Sequence, residues 1–193
     1  YTFCSDCYAK NNCIHEKNKY MCKICNKNIC KSEDCNKIIL KYFNNIYNYC
    51  TKCFFINNPD YEPQTKEQFV FKEIINKYPL LNWNVNDELI NSRFKYRPDL
   101  LLDLEKILII IEVDENSHKS YDVLTENKRM NKIQKTFNKS TIFIRFNTDD
   151  NEEIESPWEK VENKLILKNE IDWKNRIETL FLTVDNLIEN QEN

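Results

Sequence analysis

Residues 97–118 have the sequence RPDLLLDLEKILIIIEVDENSH, and this stretch decides the fold. It contains two apolar runs joined by the polar pair Glu105-Lys106. Two apolar runs with a short polar connection are typical of an antiparallel hairpin. A turn centred on Glu105-Lys106 places Asp99 opposite Glu112, because the two positions are equidistant from that turn.

Three carboxylates are expected to converge at one end of this hairpin. Glu112 and Asp114 share one face of their strand, because side chains alternate between the two faces. With Asp99 alongside, the cluster is destabilising unless a cation or protons neutralise it. Carboxylate oxygens suit Mg²⁺ or Mn²⁺, so the pattern predicts a divalent-metal site. The alternative is a strand end whose acids contact only solvent.

The segments around the hairpin predict an α/β fold. Thr65 is the expected cap of a helix, with Gln68 completing a capping box, and Pro79 ends the helix. A second helix is predicted over about 122–137, and a strand over 141–146 follows it. The isoleucine-rich run is then the central strand of a sheet that is covered on both faces. The last predicted element is an amphipathic helix with the sequence IDWKNRIETLFLTVDNLI.

All nine cysteines lie between positions 4 and 53. An odd number without a secretory signal favours metal binding over disulfides. A Cys-x2-Cys turn offers two thiolates to one tetrahedral ion, and two turns fill a structural zinc site. The spacing predicts two sequential Zn²⁺ sites, although an interleaved pairing stays open. The first set is Cys4, Cys7, Cys22 and Cys25, with Cys13 and His15 as alternates, and the second is Cys30, Cys35, Cys50 and Cys53.

The segment NNPDYEP at residues 57–63 marks a boundary between two parts of the chain. We predict a Cys-rich zinc-binding module over residues 1–58, because zinc can fold a segment too short to build its own core. The α/β domain is predicted over residues 59–193, with an acidic helical extension from about 151.

Charge is distributed unevenly along the chain, whose formal net charge is −3. Residues 1–58 hold 9 Lys against 4 acidic residues, whereas residues 149–193 hold 5 basic against 13 acidic residues. Nucleic-acid contact is therefore expected before the acidic region. That region is expected to face solvent, a protein partner or a second copy of the chain as a homodimer. No apolar run of about 18 residues or more is present, so no membrane span is predicted.

These motifs resemble those of the PD-(D/E)xK nucleases, the restriction-endonuclease-like superfamily. The resemblance covers about residues 65–150 and is most specific over residues 96–130. The order RPD, IEVDE, H, NKRM, IFIRFN is similar to that of very-short-patch repair endonucleases and of nuclease-like proteins of large DNA viruses, which carry a Cys-rich segment before such a domain. The resemblance implies an α/β/α core with a mixed sheet and an intracellular location, in the nucleus or in the cytoplasm of an infected cell.

The implied activity is Mg²⁺-dependent (or Mn²⁺-dependent) DNA endonuclease activity that leaves 5′-phosphate and 3′-hydroxyl ends. Asp99 matches the PD position and Glu112 the (D/E) position, which makes both implied metal ligands. Asp114 stands where the commonest pattern has lysine. The repair-type relatives also lack that lysine and carry a downstream histidine, so His118 is the implied base or transition-state stabiliser. The other implied site residues are Glu67, as the superfamily's first acidic position, and the phosphate-binding candidates Lys128, Arg129 and Arg145.

Two other functions are compatible with the same residues. One is a catalytically inactive nuclease-fold protein that binds nucleic acid or acts in assembly through its zinc segment. The other is a zinc interaction module joined to an unrelated α/β domain. The complete carboxylate trio favours the enzyme over the inactive nuclease-fold protein.

Overall fold

In the computed structural model, ten helices and strands are defined within the described part of the chain. The described residues are 30–33, 35, 37, 49–85, 98–115, 123–137, 139–150, 155–162 and 164–192. The helices are α1 (Thr51–Asn57), α2 (Lys66–Lys77), α3 (Val123–Phe137) and α4 (Glu170–Glu192). The strands are β1 (Asn84–Val85), β2 (Leu100–Asp103), β3 (Ile107–Asp114), β4 (Ser140–Asn147), β5 (Trp158–Val161) and β6 (Lys164–Leu167).

A mixed four-stranded sheet with the order β1-β2-β3-β4 organises the fold. The first two pairings are antiparallel, and β3 pairs in parallel with β4 after the α3 crossover. Leu100 is paired with Ile111, which is the register predicted from a turn at Glu105-Lys106. The predicted hairpin is therefore confirmed, and so is the mixed α/β class.

The strand β3 is buried on both faces, as its isoleucine run predicts. One face, which includes Ile109 and Ile111, packs in the main core with residues of α2 and α4. The opposite face, which includes Leu108 and Ile110, packs with Ile133 of α3. Glu112 and Asp114 follow the second set in the alternation, so they belong to the face that α3 covers.

The helix α2 begins and ends where its sequence predicts. The Thr65 side chain accepts a hydrogen bond from the Gln68 amide, as an N-cap does. The Gln68 side chain in turn accepts from the Gln64 amide at 2.7 Å, one residue earlier than in the predicted capping box. The helix ends at Lys77, two residues before Pro79. Its apolar stripe is buried, and α2 thereby closes one side of the sheet.

The C-terminal region contains a small hairpin, β5–β6, that the sequence did not predict, followed by α4. Glu162 in the hairpin turn adopts a positive φ of 47°. The helix α4 buries Trp173, Leu180 and Val184 in the main core, as predicted for its aromatic residues and leucines, whereas Leu182 is exposed. Tyr78, the C-cap residue of α2, also donates a hydrogen bond to Asp185 of α4, at 2.8 Å. Within the described ranges, no helix is both long and apolar enough to cross a membrane.

The helix α1 joins the cysteine-rich segment to the main core. Phe54 and Phe55 are each 1% exposed and belong to the same core cluster as α2. Two lysines of the segment also donate to backbone carbonyls of the loop before β1. The pairs are Lys37 Nζ with the Trp83 carbonyl at 2.7 Å, and Lys52 Nζ with the Leu81 carbonyl at 2.8 Å.

Ile110→Ala is expected to lower the free energy of unfolding by about 2–5 kcal/mol, because Ile110 is fully buried and the shorter side chain leaves a cavity. Ile171→Ala in α4 is the matched control, since Ile171 is 76% exposed. Its expected effect is within about 0.5 kcal/mol. Chemical denaturation measures both values, and equal losses would contradict a central position for β3.

Candidate metal centres

The second predicted cysteine set comes together beside α1. Cys50 caps this helix and Cys53 lies in its first turn, so helix formation brings their sulfurs to one side. The Sγ atoms of Cys30, Cys35, Cys50 and Cys53 all lie within 4.8 Å of one another. The Cys35 and Cys50 sulfurs are 3.8 Å apart. A tetrahedral ion with Zn–S bonds of about 2.3 Å separates its sulfurs by about 3.8 Å, so this set could hold zinc.

Burial and mutual hydrogen bonds shift the pKa values of these thiols in opposite directions. A hydrogen bond with Cys50 lowers the pKa of Cys53 to about 5, whereas burial raises the pKa of Cys35 to about 11. The Cys50 pKa is also raised, first by its hydrogen bond with Cys53. Because zinc binds thiolates, loading the site releases the remaining protons. Four thiolate ligands leave no coordination position for water, which indicates a structural role. The first predicted set, with Cys13 and His15, lies outside the described residues.

Cys53→Ser is expected to reduce bound zinc by about one ion per chain and to lower the melting temperature, because a four-thiolate site loses one ligand. Zinc content is measured by elemental mass spectrometry on purified protein. Ser32→Ala is the control, because Ser32 hydrogen-bonds to Cys53 without belonging to the cysteine set. Unchanged zinc in Cys53→Ser would show that these cysteines hold no ion. A content of about two per chain in the parent is expected from the two predicted sets.

The three predicted carboxylates lie at one end of the β2–β3 hairpin. The register that pairs Leu100 with Ile111 brings Asp99 alongside Glu112. The Asp99 carboxylate also accepts a hydrogen bond from the Val113 amide, with 2.8 Å between Oδ2 and N. This bond fixes Asp99 against β3, and the hairpin thereby positions all three acids.

Two arginines neutralise two of these acids. Arg129 of α3 donates from Nη2 to Glu112 Oε1 at 2.6 Å. Arg145 of β4 donates to both oxygens of Asp114, from Nη2 to Oδ1 at 2.7 Å and from Nε to Oδ2 at 2.8 Å. Such a forked pair is among the stronger charge-assisted contacts in proteins. Two arginine side chains therefore form ion pairs with two of the acids that the sequence predicts as metal ligands.

The carboxylates are of the chemical type that Mg²⁺ prefers, but they are not gathered around one point. Among the described residues, only the cysteine set brings three or more ligand side chains close enough together to share an ion. Asp99, Glu112 and Asp114 would surround an ion only after side chains at this end of the sheet rearrange. The three carboxylates are thus of the right chemical type to bind Mg²⁺. Their present positions, however, reflect the ion pairs that Glu112 and Asp114 form with arginines.

Asp99 is the acid whose charge is least well compensated. Burial raises its pKa to about 6, and the negative charges of Glu67 and Asp114 act in the same direction. The hydrogen bond from Val113 and the charge of Arg129 lower the pKa only in part. Any cation that binds beside such a carboxyl stabilises its charged form.

Glu67 lies in the first turn of α2, close enough to Asp99 to affect its pKa. Its backbone amide donates to Glu115 Oε1 at 3.3 Å, which ties the start of α2 to the end of β3. Lys128 is exposed on α3 beside Arg129. His118 lies outside the described residues.

A second set of contacts, which no local sequence pattern predicts, supports this edge of the sheet. The Asp114 carbonyl accepts hydrogen bonds from both the amide and the hydroxyl of Thr148, and Lys66 pairs with the buried Asp149. Arg176 of α4 donates to the backbone carbonyls of residues 147, 149 and 155. The polar run Asn147-Thr148-Asp149-Asp150 is the local signal at this edge, and by itself it predicts only the end of a strand.

No protein-family model, no curated protein and no solved structure matches the chain. The nuclease interpretation therefore depends on the motifs over residues 65–150 and on the positions of their side chains.

Asp99→Asn is expected to stabilise the protein at pH 7 by up to about 3 kcal/mol, without added divalent metal. The unfolded carboxyl loses its proton near its ordinary pKa of 3.8, whereas the folded one keeps it to about 6. The folded state therefore binds more protons between these values, and parent stability falls as pH rises through them. Asparagine carries no charge, so burying it has no such cost. Its side-chain carbonyl can still accept a hydrogen bond from the Val113 amide.

The gain should vanish near pH 4, where the parent Asp99 is largely protonated in the folded state. Denaturation curves of parent and variant at both pH values test this. Asp103→Asn, in the exposed ion pair with Lys139, is the matched control for removing one carboxylate from the same hairpin. A gain that is independent of pH would contradict the assigned cause.

Proposed function

We propose that the protein is a metal-dependent DNA endonuclease of the PD-(D/E)xK type, which leaves 5′-phosphate and 3′-hydroxyl ends. The observation that carries this proposal is that Asp99, Glu112 and Asp114 all lie at the same end of the central hairpin. Arg129 and Arg145 contact two of these acids at the same place. Acidic ligands beside arginines are suited to a site that binds a metal ion together with a phosphate.

The architecture is compatible with the core that the resemblance implies. A mixed sheet has helices on both faces, and the acids lie at the end of a strand in its interior. A site at the end of a buried strand has ligands whose motion is restricted, and this helps to hold the reacting groups in the correct geometry. The restriction-endonuclease-like assignment is part of the proposal.

Each residue has a role in this proposal. Asp99, Glu112 and Asp114 would hold Mg²⁺ or Mn²⁺, which when bound acidifies a water molecule and neutralises phosphate charge. Asp99 contributes an acid whose charged form is poorly stabilised by the protein alone, so it favours a cation. His118 would accept or donate the proton in hydrolysis, a contribution of about 10²–10⁴-fold.

Positive charge at this site comes from arginine in place of the absent lysine. Arg145 lies on β4 directly beside Glu112 in the strand register and bonds to Asp114. It therefore brings a permanent charge next to the position where the commonest superfamily pattern has lysine. Arg129 and the exposed Lys128 extend this charge along α3. These three side chains form the proposed contact with the DNA backbone.

The zinc-binding segment has a structural role in this proposal. Its helix α1 contributes Phe54 and Phe55 to the main core. Zinc therefore stabilises a segment on which the α/β domain also depends. DNA is the proposed partner, and an intracellular location belongs to the same proposal.

A second candidate is a nucleic-acid-binding protein that keeps this fold without hydrolysis. The observation that favours it is that Glu112 and Asp114 already have arginine partners, so a metal is not required to neutralise them. This candidate predicts DNA binding that is insensitive to Mg²⁺ and to the loss of Asp99.

The zinc-loaded protein is expected to cut or nick supercoiled DNA in Mg²⁺ or Mn²⁺, and Asp99→Ala is expected to reduce the rate at least about 100-fold. Loss of a metal ligand is expected to remove the activated water. Conversion of supercoiled to nicked and linear forms, separated on agarose, gives the rate. End-labelling then identifies the 5′-phosphate.

Asp103→Ala is the matched control, because Asp103 belongs to the same hairpin but lies at its other end, paired with Lys139. It should cut at nearly the parent rate. Cleavage by Asp99→Ala at the parent rate would refute the proposed site. DNA binding without cleavage in either metal would select the second candidate.

A further inference from the structure

The cysteine set lies at the wall of an open cleft next to α1. The cleft has a volume of about 830 Å³ and is bounded by the cysteine-rich segment, by α1 and by the loop that leads into β1. Three of the four cysteines of the set line it, namely Cys35, Cys50 and Cys53. A small molecule that enters the cleft can therefore approach sulfur atoms whose role is structural.

The four sulfurs of the set differ in how accessible they are. Cys30, Cys50 and Cys53 are 5%, 1% and 9% exposed, whereas Cys35 is partly exposed. The Cys30 sulfur also accepts a hydrogen bond from the Cys50 amide at 3.3 Å. Zinc binds cysteine as thiolate, so metal loading ionises all four residues alike, and exposure then decides which one reacts. Cys35 is the sulfur that a reagent in the cleft meets first.

The charge of the cleft favours oxidation of a thiolate. Among the described residues that line it, the basic ones are Lys31, Lys37 and Lys52, and the acidic one is Glu33. Reactive cysteines lie in partly exposed surroundings of positive charge. The lysines stabilise the negative charge that develops on a leaving oxygen when a thiolate is oxidised. Accessibility and charge thus favour reaction at the same sulfur.

We propose that Cys35 is a site of oxidation by hydroperoxides, and that the disulfide it then forms with Cys50 opens the zinc site. This inference does not depend on the proposed function, since it concerns the cysteine set alone. Cys50 is the partner because its sulfur lies 3.8 Å from that of Cys35. The two sulfurs must approach by about 1.8 Å to form a bond of about 2.05 Å.

The chemistry has two steps and needs no reagent besides the hydroperoxide. In the first step, the Cys35 thiolate attacks one peroxide oxygen, an S–O bond forms, the O–O bond breaks, and hydroxide or alkoxide leaves. In the second step, the Cys50 thiolate attacks the Cys35 sulfur, an S–S bond forms, the S–O bond breaks, and hydroxide leaves. The two sulfurs lose two electrons in total and the peroxide gains two. The leaving anions take their protons from solvent.

The disulfide affects both the metal site and the main core. It removes two of four ligands, so the set no longer fills a tetrahedral zinc site and the ion is released. The helix α1 places Phe54 and Phe55 in the main core, and Lys37 and Lys52 donate to backbone carbonyls of the loop before β1. Loss of zinc weakens the segment that makes these contacts. The oxidised protein is therefore less stable than the reduced, zinc-loaded form.

The test is treatment of zinc-loaded, full-length protein with hydrogen peroxide. Free zinc is followed with a chromogenic chelator, and disulfides are mapped by mass spectrometry after alkylation of the remaining thiols. The first disulfide within the set should join Cys35 to Cys50, appear together with zinc release, and be reversed by dithiothreitol and added zinc. The proposal is overturned if the four cysteines stay reduced, if the first disulfide leaves out Cys35, or if the disulfide forms without zinc release.

Cys35→His and Cys30→His form a matched pair of variants. Each leaves three cysteines and one histidine, which is a common structural zinc set. Cys35→His removes the accessible sulfur, so peroxide should oxidise its set and release its zinc at least about 10-fold more slowly than in the parent. Cys30→His keeps Cys35 and Cys50 and should respond at nearly the parent rate. Equal sensitivity of the two variants would refute the assignment to Cys35. If either variant binds no zinc, the disulfide map of the parent decides.

The link to the main core has its own measurement. Oxidation should lower the melting temperature of the parent, and reduction with added zinc should restore it. Cys35→His should lose less under the same treatment, because its set stays reduced for longer. An unchanged melting temperature after the Cys35–Cys50 disulfide has formed would show that oxidation does not reach the α/β domain, and the switch would be rejected.

Discussion

The structure depends on one constraint, which is that β3 is buried on both faces while its final residues are acidic. Five consecutive apolar residues, 107–111, place the strand in the interior of the sheet, where α2 and α4 cover one face and α3 the other. The strand must nevertheless end at the surface, and Glu112 and Asp114 lie where it passes from the interior to the surface. A charge in such a position requires a cation. The surrounding elements provide two arginines, and the rest of the site follows from this requirement.

The same requirement explains why the elements around β3 have the polar residues that they have. Arg129 is carried by α3, the helix that crosses from β3 to β4, and Arg145 is carried by β4 itself. The parallel pairing aligns the ends of β3 and β4, so a single charged edge results. On the far side of that edge, Arg176 of α4 donates to the backbone of the loop after β4. The charged edge is thus supported by three separate elements of the domain.

The cysteine set is connected to the rest of the fold through α1. It is built from residues up to 23 positions apart, Cys30 to Cys53, and its last pair is brought together by α1. Because α1 also buries Phe54 and Phe55 in the main core, loss of metal would affect both parts of the chain. A zinc ion in the cysteine set would add to the stability that this shared core provides. The cysteine-rich segment and the α/β domain are therefore joined through a common core.

Much of this architecture could be predicted because the signals were local. The cap at Thr65, the hairpin register around Glu105-Lys106 and the burial of the isoleucine run each depend on spacing along a few residues. The small β5–β6 hairpin was missed, because its strands show only a weak alternation and its turn contains Glu162, which has no special preference for positive φ. The contacts of Arg176 were missed since they join residues more than 20 positions apart.

The sequence by itself determined the strand at the centre of the sheet and the three acids at one end of its hairpin. For the cysteines it left a sequential and an interleaved pairing open, and the structure brings Cys30, Cys35, Cys50 and Cys53 together. Hydrophobic periodicity and ligand spacing carry that information, because they act within a strand, a turn or a short segment. Only the tertiary structure decided which cations the acids contact. Arg129 is 17 positions from Glu112, and Arg145 is 31 positions from Asp114. Such a pairing depends on the crossover of α3 and on the register of two parallel strands, and no local pattern specifies either.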